Sequence, residues 1–160
     1  MTLPDGKKVN IKGRADRIDM RSNGNLRVVD YKSGKPKLEF DGVESLFSGE
    51  SRTNHDYAFQ TMLYSAILHR KLNKNIEPAL YFARYMHDAE YSPRLIDKNR
   101  DSVQVEYKDY AEEFERLLTE KLQELFNYEI PFRRCDESEA DSVCKLCDYK
   151  TICKRWTKEF

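Results

Sequence analysis

The chain has 160 residues, of which 35% are charged and 12% aromatic, and its mean hydropathy is −0.82. This length suits a single domain with its own core, and the aromatic content argues against an intrinsically disordered chain. No apolar run is long enough to cross a membrane. The polar start of the chain also lacks the apolar segment of a signal peptide, so the cytoplasm is the expected location.

The net charge is zero but unevenly distributed. Residues 1–38 carry ten Lys/Arg and four Asp, a balance of +6, and residues 144–160 carry +3. The central residues 39–143 hold the compensating −9. Basic segments of this kind either bind phosphate backbones or form ordinary solvated surface, and charge alone does not separate these alternatives.

Two strands joined by a tight turn are predicted near the beginning of the chain. Apolar residues alternate over residues 9–15, which predicts a strand over residues 9–20. Ser-Asn-Gly-Asn at residues 22–25 is a turn signal, and residues 26–32 form the next strand. The pattern therefore predicts a β-hairpin.

The first long helix is predicted after a polar connection that contains a short helical turn at residues 43–47. Asn54 is a candidate N-cap, and the helix runs to about Leu72. Apolar side chains recur with the period of a helix along one stripe. The members of the stripe are Phe59, Met62, Leu63, Ala66 and Ile67.

The second half of the chain predicts a further strand, an extended piece and a second helix. Pro78 opens the strand over residues 79–86, residues 103–107 are extended, and the helix covers residues 109–127. The order of elements predicts an α/β or α+β fold, a sheet with helices covering it. The predicted buried face of the second helix consists of Tyr110, Phe114, Leu117, Leu118, Leu122, Leu125 and Phe126.

Two carboxylates and a lysine are the candidate functional residues of the hairpin. Asp30 and Lys32 lie two residues apart on one strand, so they point to the same face. A turn around Gly24 would bring Asp16 close to Asp30. Two facing carboxylates repel each other unless a cation lies between them, and Mg²⁺ prefers such oxygen ligands. Lys32 could then orient or deprotonate a water on the metal, or stabilise transition-state charge.

A surface salt bridge is the alternative explanation of the Asp-x-Lys pattern. The sequence before it favours a site, because Val28 and Val29 form an apolar run that leads directly into the charged residues. Charged groups at the end of a buried strand are costly unless they have a task.

The residues around these carboxylates resemble a known family. Gly-Arg-Ala-Asp-Arg-Ile-Asp at residues 13–19 and Val-Val-Asp-Tyr-Lys-Ser-Gly at residues 28–34 resemble the signature of the PD-(D/E)XK nuclease superfamily. The closest branch is RecB-like, which includes the nuclease domains of the RecBCD and AddAB helicase–nucleases. The resemblance implies a restriction-endonuclease-like mixed sheet flanked by helices.

The resemblance also implies an activity and a set of site residues. The activity is that of a Mg²⁺- or Mn²⁺-dependent DNA exonuclease, joined to a helicase or helicase-like region and acting in double-strand-break repair and recombination. Asp16 and Asp30 would be the metal ligands and Lys32 the catalytic lysine. Asp19 would be structural or face the substrate.

A Gln-x-x-x-Tyr motif on the first helix also resembles this branch. Its members, Gln60 and Tyr64, are four residues apart and therefore share one helical face. The implied role is to orient the active site and to contact DNA. Arg17 is either a phosphate contact or the partner of an acid. The candidate phosphate contacts are Lys7, Lys8, Arg14, Arg17, Lys35 and Lys37.

The four cysteines all lie near the end of the chain. Cys144, Cys147 and Cys153 have the spacing Cys-x₂-Cys-x₅-Cys, and clustered cysteines in a cytosolic chain favour metal binding over disulfides. We therefore predict a nuclease core over residues 1–134 and a metal-binding tail over residues 135–160.

AddB-type nucleases end in the same cysteine pattern, which supplies three of the four ligands to a [4Fe–4S] cluster. The resemblance implies the same role here. The fourth ligand is either a cysteine in a segment upstream of this chain or Cys135, and a four-cysteine set could also hold zinc. Reduced thiols without a metal are the remaining alternative.

The pattern of the RecB-like branch is incomplete at one point. In that branch a helix before the first core strand carries a His or Glu that completes the metal site. This chain begins shortly before Asp16, and its histidines, His55, His69 and His87, come later. We therefore expect a C-terminal fragment without that helix, which would cleave poorly alone. The alternatives are a DNA- or partner-binding module stapled by a metal–cysteine site, and a zinc-binding interaction domain.

Overall fold

The computed structural model divides the chain into two compact units, Met1–Glu124 and Leu125–Phe160. No helix within the described part of the chain is long and apolar enough to cross a membrane. The structure describes residues 1–48, 55–101, 103–134, 144 and 147–154.

A hairpin opens the main sheet. Strand β1 (Arg17–Met20) pairs antiparallel with β2 (Leu26–Lys32). Gly24 has a φ of 81° in the turn, a conformation that glycine adopts without steric cost, and its N–H donates to the carbonyl of Arg21 at 2.9 Å. The predicted hairpin is confirmed, and β2 has the predicted bounds.

The predicted start of the first strand is wrong. Only Arg17–Met20 is strand, although the alternation begins at Val9. Val9 donates its N–H to the carbonyl of Met1 at 2.8 Å, and Thr2 pairs with Lys8. The segment thus folds back on the start of the chain, and its alternation reflects half-burial rather than pairing with β2.

Helix α1 (Asp56–Leu72) follows and ends as predicted. His55 stands at its N-cap position, while Asn54 lies outside the described residues. At the other end Asn73 adopts the left-handed conformation with a φ of 50°, and its N–H donates to the carbonyl of His69 at 2.8 Å. This arrangement satisfies a carbonyl that the helix end would otherwise leave open.

Strand β4 (Ile76–Phe82) completes the first sheet, in the order β1–β2–β4. It runs parallel to β2, as a connection through a helix allows. The prediction of a strand over residues 79–86 opened by Pro78 is wrong, because Pro78 lies inside the strand and Ala83–Tyr85 forms a 3-10 turn. Proline is tolerated here because β4 is an edge strand of the sheet.

A second small sheet joins β3 (Glu39–Phe40), β5 (Ile96–Asp97) and β6 (Val103–Gln104) in the order β3–β5–β6. The extended piece predicted over residues 103–107 is thus shorter, and a 3-10 turn follows at Tyr107–Asp109. The short helical turn predicted at residues 43–47 is confirmed as a 3-10 turn at Val43–Leu46.

Helix α2 (Ala111–Leu125) buries Phe114 and Leu118 in the core. The predicted burial of Leu125 and Phe126 is wrong, since their exposed fractions are 50% and 37%. The helix continues beyond the last residues that the core covers. The structure is thus a mixed α+β fold with two small sheets and two long helices in its described part, and the predicted fold class is confirmed. The core includes Val28, Phe40, Met62, Ile76, Leu80, Phe82, Leu95, Tyr107 and Phe114.

Candidate active site

Asp30 and Lys32 lie at the end of β2, on the face that packs toward α1. This face also carries Val28, which is fully buried in the core cluster. The side chain of Asp30 is buried as well, with an exposed fraction of 4% for the residue. β2 is hydrogen-bonded to β1 on one side and β4 on the other, so the backbone that presents both residues is fixed from both flanks.

The ammonium of Lys32 forms a close ion pair with the carboxylate of Asp30. Nζ of Lys32 lies 2.5 Å from Oδ2 of Asp30. Within the described residues no donor meets Oδ2 with the angles of a hydrogen bond, so the contact is ionic and unaligned. A buried carboxylate oxygen with an unused lone pair is costly, and it is available to a cation.

Asp16 is placed beside this pair. It lies one residue before β1, and its Oδ2 accepts a hydrogen bond of 2.8 Å from the backbone N–H of Tyr31. Arg17 pairs with Val29 in the antiparallel register, so the same register continued by one residue sets Asp16 opposite Asp30. Asp16 is exposed. The structure thus brings the first predicted ligand to the strand that carries the second.

Gln60 connects Lys32 to α1. Its Oε1 accepts a hydrogen bond of 2.9 Å from Nζ of Lys32, and its Nε2 donates to the hydroxyl of Tyr64 at 2.9 Å. The two motif residues share one helical face, as their spacing predicts. A Cβ built on Gly13 would lie 2.4 Å from Cε1 of Tyr64, so the ring packs directly on the backbone that leads to Asp16.

The residues at this end of β2 fit a divalent cation such as Mg²⁺. Asp16 and Asp30 offer hard oxygen donors, and Oδ2 of Asp30 is buried without a hydrogen bond. Among the described residues no three His, Cys, Asp or Glu side chains form a group that could hold a metal. Mg²⁺ is usually bound by one or two carboxylates together with waters and substrate phosphates, so two carboxylates suffice for this type of site.

The predicted phosphate contacts differ in their surroundings. Arg17 is engaged by Asp19, since Nε and Nη2 lie 2.7 Å from the two carboxylate oxygens, and its Nη1 donates to the hydroxyl of Tyr31 at 3.0 Å. This hydrogen bonding lowers the pKa of Asp19. The geometry supports the alternatives in which Arg17 pairs with an acid and Asp19 is structural. The other contacts remain predictions: Arg14 and Lys35 are exposed, and Lys37 is half-buried.

Tyr57 is a residue of this site that the sequence reasoning missed. The centroid of its ring lies 4.4 Å from Nζ of Lys32. Tyr57 precedes Gln60 by three residues and Tyr64 by seven, so all three lie on one face of α1. The helical spacing around the Gln-x-x-x-Tyr motif was the signal that could have found it.

The cysteines belong to the second unit. Cys144, Cys147 and Cys153 are thiols rather than disulfides. The N–H of Cys147 donates to the carbonyl of Cys144 at 3.3 Å, which closes a turn between them. Thiols are suitable ligands for iron or zinc, but the described thiols do not form a metal-binding group as placed. Cys135 lies outside the described residues.

The fold and the site define the class of protein. The chain belongs to the PD-(D/E)XK nuclease superfamily, whose family model matches residues 2–154. Membership supports a hydrolytic nuclease, and thus a nucleic acid as the substrate.

Relatives of this chain are named as the B-type component of an ATP-dependent helicase/deoxyribonuclease. The protein from Exiguobacterium sibiricum is 45% identical over 42 residues, which is 24% of this chain and 4% of the relative. The protein from Thermoanaerobacter sp. strain X514 is 35% identical over 86 residues, 50% of this chain and 7% of the relative. The chain thus spans a small part of the length of these relatives. No solved structure matches the chain significantly.

Proposed function

We propose that this chain is the metal-dependent DNA exonuclease domain of a helicase–nuclease that acts in double-strand-break repair and recombination. The observation that carries the proposal is the unaligned, buried Oδ2 of Asp30 between the ammonium of Lys32 and the strand that Asp16 joins. The names of the relatives support DNA as the substrate and a helicase as the partner.

Asp16 and Asp30 are the residues that would hold Mg²⁺ or Mn²⁺. When bound, such an ion supplies Lewis acidity at the scissile phosphate. Lys32 places its ammonium at the same point, where it stabilises the negative charge that develops on the phosphate during hydrolysis. Gln60 fixes the ammonium through its 2.9 Å hydrogen bond, and Tyr64 fixes Gln60.

The exposed cations near this end of β2 would hold the DNA backbone. Arg14 and Lys35 are exposed on either side of the catalytic strands in sequence, and Lys37 follows. Contacts of this kind bind phosphates without reading sequence. Their replacement is expected to weaken DNA binding while leaving the turnover of bound DNA largely unchanged.

Degradation of linear DNA by the full-length protein tests the catalytic assignment. We expect Mg²⁺-dependent release of nucleotides, which Asp30→Ala and Asp16→Ala abolish. Glu124→Ala is the matched control, because Glu124 is an exposed acid on α2 that pairs with Lys121 on the same helix. Wild-type protein without nuclease activity, or full activity in Asp30→Ala, would contradict the assignment.

A DNA- or partner-binding module is the second candidate function. The observation that favours it is the absence of a third acidic or histidine ligand near Asp16 and Asp30 in the described part of the chain. This module would bind DNA as wild type and as Asp30→Ala alike, and neither protein would cleave it. The same assay, combined with a DNA-retention measurement, separates the two functions.

We propose that the cysteines bind a [4Fe–4S] cluster that fastens the tail. Cys144, Cys147 and Cys153 would supply three ligands, and either Cys135 or an upstream cysteine the fourth. Metal analysis after anaerobic purification tests this role: we expect iron with acid-labile sulfide, lost in Cys147→Ser. Zinc without iron would instead support a structural zinc site.

A further inference from the structure

Tyr57 lies in the first turn of α1 and touches both strands that carry or flank the site. Its ring faces Nζ of Lys32 at 4.4 Å and packs at a tilt against Phe82, with 6.2 Å between ring centroids. Lys32 and Phe82 are register partners of the β2–β4 pair. The ring therefore sits over the last rung of this pair, where β2 ends.

The ammonium of Lys32 has described neighbours of two kinds. Asp30 and Gln60 present oxygens at 2.5 and 2.9 Å, while Tyr57 presents the face of an aromatic ring. The ring attracts the cation through its quadrupole but competes little for its protons. Since an ammonium has three N–H donors, contact with two oxygens and a ring face leaves donor capacity for a substrate.

Tyr57 is itself held in place. Its carbonyl accepts a hydrogen bond of 2.6 Å from the hydroxyl of Thr61, a buried residue one turn further along α1. Its ring is half-buried against Phe82. The flexible four-carbon stem of Lys32 thus meets a rigid surface, which limits the rotamers that the lysine can adopt.

We propose that Tyr57 is a positioning residue of the nuclease, whose ring holds the ammonium of Lys32 in line with the scissile phosphate. The inference rests on the proposed function of Lys32. Tyr57 does not touch the reacting atoms and acts through the lysine. Its hydroxyl has no part in this role, so phenylalanine should replace it.

The expected kinetic signature is a change in kcat without a comparable change in KM. An interaction that matters mainly in the transition state lowers kcat when it is removed. Tyr57→Leu removes the ring and is expected to lower kcat roughly tenfold, the order of a partly desolvated cation–π contact, while KM for DNA stays within about twofold. Tyr57→Phe keeps the ring face and should retain wild-type kcat.

Phe59→Leu is the control for lost aromatic packing. Phe59 lies on the same helix, is half-buried, and packs against Phe47 and Phe114 with centroid distances of 5.3 and 5.9 Å. These ring partners belong to the core side of α1 rather than to the end of β2. A loss of kcat caused only by a loosened helix would therefore appear in Phe59→Leu as well.

A second measurement does not depend on cleavage. The terminal methylene protons of Lys32 lie near the ring face of Tyr57, so their NMR signals should be shifted upfield by the ring current. The signal is assigned by its absence in Lys32→Arg. The shift should persist in Tyr57→Phe and vanish in Tyr57→Leu.

The proposal is supported if Tyr57→Leu loses both the upfield shift and kcat while Tyr57→Phe and Phe59→Leu keep them. It is overturned if wild-type Lys32 shows no upfield shift, if Tyr57→Leu keeps wild-type kcat, or if Phe59→Leu loses as much kcat. Failure of the proposed nuclease function has a different sign, because the wild-type protein would then show no cleavage that depends on Asp30.

Discussion

The ring of Tyr64 lies so close to the backbone of Gly13 that an added Cβ would meet Cε1 at 2.4 Å and Cδ1 at 3.0 Å. Gly13→Ala must therefore push the ring away, and with it the hydroxyl that accepts from Gln60. Overpacking of this kind costs roughly 1–3 kcal/mol. We expect Gly13→Ala to lower the free energy of unfolding by that amount in urea titrations and to reduce cleavage.

Gly34→Ala is the matched control for this prediction. No heavy atom lies within 4 Å of a Cβ built on Gly34, so the substitution adds no clash, and it should leave stability unchanged or raise it by up to about 1 kcal/mol. Equal losses in the two variants would show that the contact with Tyr64 is not the cause.

Lys32→Met should destabilise the protein in the absence of metal. The substitution leaves the buried carboxylate of Asp30 without its close cation, and breaking a buried ion pair in this way costs about 3 kcal/mol. Mg²⁺ would replace the lost charge, so it should raise Tm more in Lys32→Met than in wild type. Thermal unfolding in EDTA and in Mg²⁺ measures both effects.

Lys121→Met is the control for the loss of a lysine. Lys121 pairs with Glu124 on the exposed surface of α2, where both side chains are more than half exposed. A surface pair of this kind contributes less than about 1 kcal/mol. If Lys32→Met unfolds in EDTA at the same temperature as Lys121→Met, Asp30 does not depend on the charge of Lys32.

Glu77→Gln should be strongly destabilising. The carboxylate of Glu77 is 1% exposed and contacts the guanidinium groups of Arg21, Arg27 and Arg94. Without the shared negative charge these cations repel one another, and we expect a loss of about 3 kcal/mol. Glu115→Gln breaks only the partly exposed pair with Arg70 and should cost less than about 1 kcal/mol. Similar losses in urea would contradict the importance of the cluster.

The Asp19–Arg17 pair should make stability depend on pH in the acid range. Hydrogen bonding from Arg17 lowers the pKa of Asp19 below its ordinary value of 3.8. A depressed carboxyl pKa gives stability that is fully present above the ordinary value and is lost as the pH falls through the folded-state value. The stability gap between wild type and Asp19→Asn should therefore close on acidification. Arg17→Gln should show the same pH dependence as Asp19→Asn, and urea midpoints across the acid range measure both.

The hairpin and its acidic residues could be predicted because their determinants are local. The turn signal around Gly24 and the apolar run before Asp30 set both the pairing and the face of each residue. The motif spacing likewise placed Gln60 and Tyr64 on one side of α1. The contact with Lys32 then followed from the parallel pairing of β2 with β4, which α1 connects.

Features that depend on distant parts of the chain could not be predicted. The cluster around Glu77 joins arginines from β2 and from segments far along the sequence, and no periodic pattern reports it. The alternation from Val9 indicated burial correctly but not pairing. Leu125 continued the apolar stripe of α2, yet periodicity cannot show where the surface that covers a helix ends.

The central position of β2 has a consequence for changes in chain length. A residue inserted or deleted within β2 would turn Tyr31 inward and carry Asp30 or Lys32 to the opposite side of the sheet, because side chains alternate along a strand. A residue added to the turn at 22–25 lengthens only a loop between strands whose pairing is set elsewhere. Engineered or natural length variation should therefore concentrate in that loop and be excluded from the strand.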